Sequence, residues 1–127
     1  MSKMASRPLA VAAASAVLTL GAFAVPAPAS AHWSCGRAAP ADIDTSGGHE
    51  TNGVAPLRVG SSTRCAETST SVIGSAGVAL DYHCYAVDIN RREVWTYVVV
   101  VGGSKRGWIS QDHVHDGGSH VRCAGDT

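Results

Sequence analysis

Three histidines near the end of the chain have the spacing that most clearly suggests metal chemistry. His113, His115 and His120 lie close together, with Asp112 and Asp116 beside them. Side chains two positions apart share a face of an extended chain, so His113 and His115 would point the same way. Imidazole together with carboxylate suits zinc or copper. Surface histidines commonly bind nothing, however. The sequence therefore predicts no metal ligand and no cofactor, and metal binding by this tail remains an alternative function.

Four cysteines, Cys35, Cys65, Cys84 and Cys123, all follow residue 31. They are 30, 19 and 39 residues apart, so the close C-x-x-C pairs of a structural zinc site are absent. An even number of cysteines in a small exported domain predicts two disulfides. Three pairings are possible. We favour Cys35–Cys123, which would join the two ends, and Cys65–Cys84, which would close a local loop.

The sequence patterns of nucleophile and base do not support an enzyme. In Gly74–Gly77 the second glycine comes one residue too early for G-x-S-x-G, and H-E-x-x-H is absent. Cysteines paired in disulfides leave no thiol for a Cys–His pair. Glu50, Glu67 and Glu93 offer carboxylates for glycoside hydrolysis, but nothing places two of them in one cleft. We therefore predict that the protein is not an enzyme.

The first 31 residues have the parts of a secretory signal peptide. Lys3 and Arg7 are the only charged residues before His32 and precede the apolar stretch Leu9–Val25. Ala29–Ala31 then fits the small-x-small cleavage pattern. We expect a secreted protein, extracellular or associated with the cell wall, without a membrane span in its mature form.

Size and charge restrict the partners of the mature chain. The 96 residues after residue 31 suffice for one small domain. Eight of the ten Lys and Arg residues and all ten Asp and Glu residues follow residue 31, which leaves a charge of −2. Without a basic patch, nucleic acid is excluded as an expected partner.

From Leu57 onward the residue pattern is typical of short strands joined by glycine-rich turns. In the segment Val78–Val87, alternate residues from Leu80 to Ala86 fall on one face. The candidate strands are Leu57–Val59, Val72–Gly74, Val78–Val87, Trp95–Val101 and Trp108–Ile109, followed by a 3₁₀ turn at Ser110–His113. About five strands in such a short length predict an all-β fold, a small barrel held by disulfides.

Three of these segments carry a resemblance to a known family. Leu57–Cys65 is similar to the pattern V-R-S-G-P-S-T-S-Y, with which Arg58, Gly60, Ser62 and Thr63 agree. The later patterns W-Y-x-V and G-W-V-x-x-x-Y-L are similar to the segments Trp95–Val98 and Gly107–Val114. In this order the motifs resemble a bacterial SH3 (SH3b) domain, and the cysteines resemble those of disulfide-bearing secreted SH3-like proteins of actinobacteria. His113 stands where the family has tyrosine.

The resemblance implies an SH3-like barrel over residues 57–114. Residues 1–31 are then the signal peptide, 32–56 an N-terminal arm or loop, and 115–127 a C-terminal tail tied by Cys123. SH3b domains commonly hold cell-wall peptides or tether a wall hydrolase, so the resemblance implies a binding module rather than a catalyst.

A ligand groove is expected between the loop after Leu57 and the loop at Asp88–Glu93. Aromatic residues supply both contact area and a polar atom to recognition sites, and arginine binds carboxylates. The candidate groove residues are Tyr85, Arg91, Arg92, Trp95, Trp108 and His113. For Tyr85, Trp95 and Trp108, a place in the core competes with a place in the groove.

These features predict a secreted, non-enzymatic binding module for a cell-wall polymer or peptide. One alternative is a secreted inhibitor, toxin or signal protein whose partner is another extracellular protein. The other is an exported metal-binding protein that uses the histidine-rich tail.

Overall fold

The β-branched and aromatic segments form strands in the computed structural model, which describes residues 32–90 and 92–125. Six antiparallel strands form one sheet in the order β1-β4-β5-β6-β2-β3. Their bounds are His49–Glu50 (β1), Ala55–Arg58 (β2), Glu67–Ile73 (β3), Ala79–Val87 (β4), Val94–Val100 (β5) and Arg106–Ser110 (β6). The predicted 3₁₀ turn is found at Gln111–His113. The all-β class is confirmed, while the predicted signal peptide and Arg91 lie outside the described residues.

The sheet is open, so the predicted closed barrel of about five strands is corrected. Strands β1 and β3 are at its two ends, and among the described residues they do not pair with each other. Beyond β1, the free side of β4 is covered by irregular chain. His32 bridges to Val87 and Arg122 to Tyr85. The two ends of the chain thus cover this exposed edge, which in a closed barrel would be paired with another strand.

A bulge in β4 divides the buried residues between two clusters. The alternating burial from Leu80 to Ala86 is confirmed. The register with β5 shifts between Tyr82 and Cys84. As a result Tyr82 lies opposite Val98, whereas Cys84 lies opposite Tyr97, on the other face of β5. One strand therefore contributes to the packing on both faces of the sheet.

The two clusters differ in composition. The first, called the apolar core, contains Ala55, Leu57, Ile73, Leu80, Tyr82, Val98, Ile109 and Val114. The second, called the aromatic cluster, contains Trp33, Cys84, Ala86, Trp95, Tyr97, Trp108 and Cys123. Every residue of the apolar core except Val114 belongs to a strand, whereas Trp33 and Cys123 reach the aromatic cluster from the ends of the chain.

The N-terminal arm is fixed to the turn after β2. Cys35 forms a disulfide with Cys65, with their Cα atoms 5.2 Å apart. Gly60 lies at this crossing: a Cβ there would be 2.6 Å from the Cys65 Sγ and 2.8 Å from the carbonyl oxygen of Trp33. A glycine at position 60 is therefore what lets the arm and the turn approach so closely.

The C-terminal tail is fixed to β4. Cys123 forms a disulfide with Cys84, with their Cα atoms 4.8 Å apart. The Tyr85 N–H donates to the Val121 carbonyl at 2.7 Å, and the Cys123 N–H donates to the Tyr85 carbonyl at 2.9 Å. The tail thus continues the hydrogen bonding of the sheet beside β4.

The predicted pairing Cys35–Cys123 and Cys65–Cys84 is wrong. Hydrogen bonds hold the two ends of the chain to different elements, and each terminal cysteine finds its partner there instead of in the other end. The bonds close loops with sequence separations of 30 and 39 residues. On the chain-entropy model each contributes roughly 4 kcal/mol to the free energy of unfolding.

Candidate functional site

The residues predicted to form the groove lie in several places. Trp95 and Trp108 are only 2% and 1% exposed and belong to the aromatic cluster. Tyr85, on β4, lines a separate cavity together with His120. Arg92 is exposed in the β4–β5 connection, where its backbone N–H donates to Asp88 at 2.8 Å. His113 is half-buried in the 3₁₀ turn, and Arg91 lies outside the described residues.

The aromatic cluster is closed by the N-terminal arm. The Trp33 ring lies 5.6 Å from that of Trp108, whose edge contact with Tyr97 is at 5.5 Å. Trp33 Nε1 donates to the Ala38 carbonyl at 3.1 Å. The Arg37 guanidinium lies 3.7 Å above the Trp33 ring, a cation–π geometry. The arm thus covers the face on which a ligand was expected, and the open site must be sought at its margin.

At that margin lies a cleft of about 350 Å³, called here the arginine cleft. It is bounded by the arm, by β2 and β3, and by the β5–β6 hairpin. Its lining residues are Gly36, Arg37, Ala39, Arg58, Val59, Thr68, Tyr97, Ser104, Arg106, Gly107 and Trp108. This lining includes three arginines and no carboxylate, so the cleft favours an anion.

Each arginine is brought to the cleft by a different element. Arg37 is held by its contact with Trp33 and by a 2.6 Å hydrogen bond to the Gly125 carbonyl. Arg58 on β2 donates from Nη1 to the Cys65 carbonyl at 2.9 Å. Its Nε is buried without an acceptor among the described residues. Arg106 is exposed at the start of β6.

Aromatic residues complete the cleft between the arginines. Burial raises the pKa of Tyr97, and the nearby charge of Arg106 only partly offsets this effect, so the phenol is neutral at physiological pH. Gly107, also in the lining, is buried against β2: a Cβ there would lie 3.0 Å from Leu57 Cβ and 3.1 Å from the Arg58 carbonyl oxygen. An aromatic wall beside guanidinium groups suits a ligand with both a carboxylate and an apolar part.

A second polar cluster, the carboxylate–histidine network, ties the arm to the tail. His49 Nδ1 lies 2.5 Å from Asp116 Oδ2, and the Tyr82 hydroxyl donates to Asp116 Oδ1 at 2.7 Å. The rings of His49 and Tyr82 stack at 3.7 Å. The Ser119 hydroxyl donates to Asp44 at 2.5 Å. Ser46 joins the two halves, because its hydroxyl donates to Asp44 and lies 2.8 Å from His49 Nε2.

These hydrogen bonds set the charge states of the carboxylates. Burial alone would raise the pKa of Asp44, but hydrogen bonds from Ser119 and Ser46 outweigh it and lower the pKa. Likewise, hydrogen bonds from Tyr82 and His49 outweigh burial and lower the pKa of Asp116. Burial, reinforced by Asp116, raises the pKa of Tyr82 far above its ordinary value. The network therefore holds two carboxylates ionised and a phenol neutral.

The contacts Ser46–His49–Asp116 have the order of a catalytic triad without its proton arrangement. A nucleophilic serine must give its proton to the histidine. Here the ionised Asp44 can only accept, so the Ser46 hydroxyl donates to it and faces His49 with its oxygen. We interpret the network as a clamp between the two ends of the chain.

The histidine-rich tail is not assembled as a metal site in the described residues. His115 and His120 are exposed. Among the described residues, His113, His115 and His120 do not belong to any group of side chains close enough to share an ion. Asp116, which was expected to assist them, is occupied by His49 and Tyr82. Residues 121–123 pair with β4, whereas His113 lies in the 3₁₀ turn and the His115 N–H donates to the Glu50 carbonyl at 3.4 Å, so the tail histidines do not lie along one strand.

Sequence reasoning missed the arginine cleft and the network. Arg58 lies inside the first SH3b-like motif, where it was read as a match and not as a site. Alternation on β5 and β6 could have placed Arg106 opposite Val99. Nothing in the sequence indicates that Arg37 or His49 lies near either site, because the arm has no regular periodicity.

No protein-family model matches this chain, and no significant match is found among curated proteins or solved structures. Within the described residues, no helix has both the length and the apolar character needed to cross a bilayer. Two disulfides are compatible with the expected secretion, because such bonds persist in oxidising environments.

Proposed function

We propose that the chain is an extracellular, non-enzymatic binding module that holds a carboxylate-bearing polymer or peptide of the cell envelope in the arginine cleft. The observation that carries this proposal is the convergence of Arg37, Arg58 and Arg106 on one cleft without a carboxylate in its lining. The SH3b-like motifs support the ligand class, because the resemblance implies recognition of cell-wall peptides.

The chemistry of the cleft suits a carboxylate. Guanidinium groups bind carboxylates through paired N–H donors, and such charged hydrogen bonds are stronger than neutral ones. The Arg58 Nε–H, buried without an acceptor among the described residues, is a donor that a ligand oxygen could satisfy. Arg37 and Arg58 are already held by hydrogen bonds, so less side-chain entropy is lost when a ligand binds.

The direct test is co-sedimentation with purified peptidoglycan, with bovine albumin as the reference for non-specific retention. We expect retention above albumin that weakens as salt rises from about 0.05 to about 0.5 M, because salt screens the exposed guanidinium groups. Arg106→Gln is the best variant, since this side chain is exposed and its loss leaves the clusters intact. We expect about tenfold weaker binding, the loss of one charge-assisted contact.

Arg92→Gln is the matched control, because Arg92 is also an exposed arginine but lies in the β4–β5 connection, outside the cleft lining. It should bind like the natural protein. Equal losses in both variants would point to non-specific charge attraction. A loss in Arg92→Gln alone would favour the groove predicted from sequence over the arginine cleft. Retention no greater than that of albumin would remove wall binding altogether.

A further inference from the structure

Two carboxylates and an imidazole converge on the side of β4 that faces the arm. His83 Nε2 lies 3.5 Å from Asp81 Oδ2 and 3.8 Å from Asp42 Oδ2. One donor atom from each residue lies within 4.8 Å of the other two. We propose that Asp42, Asp81 and His83 form a binding site for a divalent cation of the zinc type. This proposal does not depend on the proposed function.

The spacing of the three donor atoms fits a metal ion better than direct hydrogen bonds. Both distances from His83 Nε2 exceed those of a good N–H···O bond, about 2.7–3.2 Å. Zinc binds imidazole nitrogen and carboxylate oxygen at about 2.0–2.2 Å. Two ligands at tetrahedral angles around it are then about 3.4 Å apart. The two gaps from His83 Nε2 need only a few tenths of an ångström of closure, and the two carboxylate oxygens lie within 4.8 Å of each other.

The backbone holds these ligands in place. Asp81 and His83 flank Tyr82 on β4, next to the bulge that shifts the register. The arm is tied to this point because the His83 carbonyl accepts from the N–H groups of Ile43, at 3.1 Å, and Asp44, at 2.9 Å. Asp42 immediately precedes this pair of hydrogen bonds. The ligands therefore come from two segments that are already fixed to each other.

Charge and burial favour occupation by a cation. The side chains of Asp42 and Asp81 are 51% and 43% exposed, and that of His83 is 16% exposed. Within the described part of the chain, neither carboxylate has a Lys or Arg partner within 4.0 Å. Among the described residues, the basic group within 4.0 Å of these two negative charges is therefore the imidazole of His83.

The donor set selects the class of metal. One nitrogen and two oxygens suit a borderline ion such as Zn²⁺, whereas Ca²⁺ and Mg²⁺ prefer oxygen donors alone. Three protein ligands leave a fourth position of a zinc ion open to water. The Tyr97 ring contacts His83, at 5.3 Å between centroids, and also lines the arginine cleft. The proposed metal site and the cleft are thus neighbours across one aromatic ring.

Isothermal titration of the purified protein with ZnCl₂ tests the site, with CaCl₂ and MgCl₂ as comparison ions. We expect one zinc ion per chain and little heat from the other two. Asp81→Asn removes a ligand charge while keeping the side-chain shape, and His83→Ala removes the nitrogen. Each should weaken zinc binding by at least about tenfold, and His120→Ala, an exposed tail histidine, should leave it unchanged.

Asp42→Asn keeps the test decisive if His83→Ala fails to fold, because Asp42 is exposed and lies outside both clusters. Circular dichroism of each variant without metal should match that of the natural protein. The proposal is overturned if zinc produces no binding heat, or if zinc binds equally well to Asp42→Asn and Asp81→Asn. Loss of binding in His120→Ala alone would assign the ion to the tail instead.

Discussion

The two faces of the sheet are packed by different parts of the chain. The apolar core is built almost entirely by strand residues that alternate in and out. The aromatic cluster, on the other face of β5, needs Trp33 from the arm and Cys123 from the tail. A domain of this size can therefore bury a second face of its sheet without a second sheet. Irregular ends can cover it if disulfides and a polar clamp hold them.

Tryptophan reports on only one of these faces. The chain has three tryptophans. Trp33, Trp95 and Trp108 all belong to the aromatic cluster, and the apolar core has none. Tryptophan fluorescence therefore follows the packing of the aromatic face, while far-ultraviolet circular dichroism follows the whole sheet.

Removal of the Cys84–Cys123 bond should have the largest effect. We expect Cys84→Ala/Cys123→Ala to lower the free energy of unfolding by roughly 4 kcal/mol, because the open chain gains entropy and the tail loses its anchor. Urea titration gives the value. Tryptophan emission should shift to the red at lower urea than the sheet signal is lost. Coincident transitions that match the natural protein would show that the two faces do not differ in this way.

Trp33→Ala should have the next largest effect, about 3 kcal/mol, as expected for a large buried side chain. Ile109→Ala in the apolar core is the matched change on the other face. If it lowers the free energy of unfolding by a comparable amount, the two faces contribute similarly to stability. Only Trp33→Ala should increase the accessibility of the remaining tryptophans to acrylamide. A loss below about 0.5 kcal/mol, the range of surface changes, would contradict the covering role of the arm.

Acid should loosen the clamp before it disturbs the apolar core. The pKa values of Asp44 and Asp116 are lowered in the fold, so their contribution is complete above the unfolded value of about 3.9. It is lost as pH falls through their folded pKa values. Urea titrations at pH 7 and well below the unfolded value should show a loss of stability at the lower pH, and Asp116→Asn should reduce the difference. An unchanged pH dependence in that variant would refute the assignment.

The smallest expected effect is that of Arg37→Gln, about 0.5–1 kcal/mol, because the variant loses an exposed cation–π contact with Trp33. Arg64→Gln, an exposed arginine in the turn after β2, is the control and should leave stability unchanged. Equal stability of the two variants would mean that Trp33 holds the cover without help from Arg37. A thermal or urea unfolding series at moderate salt separates them.

Local patterns in the sequence predicted much of the apolar face. Alternation of apolar residues predicted β4 and its buried positions, and β-branched residues predicted β5 within one residue at each end. The strand ending at Ile73 begins well before the segment predicted from sequence, because its Ser- and Thr-rich part lacks an apolar signal. The cleft was not predicted, because its arginines come from segments far apart in sequence.

By itself, the sequence determined the all-β class, the positions of the main strands and the presence of two disulfides. The strands follow from alternation and β-branching, which are properties of neighbouring residues. The disulfides follow from the even number of cysteines, which is a property of composition. Only the tertiary structure decided which cysteines pair, that the sheet stays open, and that Trp95 and Trp108 are covered. These outcomes depend on where two irregular ends cross the sheet. Long-range hydrogen bonds and a glycine at position 60 set that path, and no periodic pattern records it.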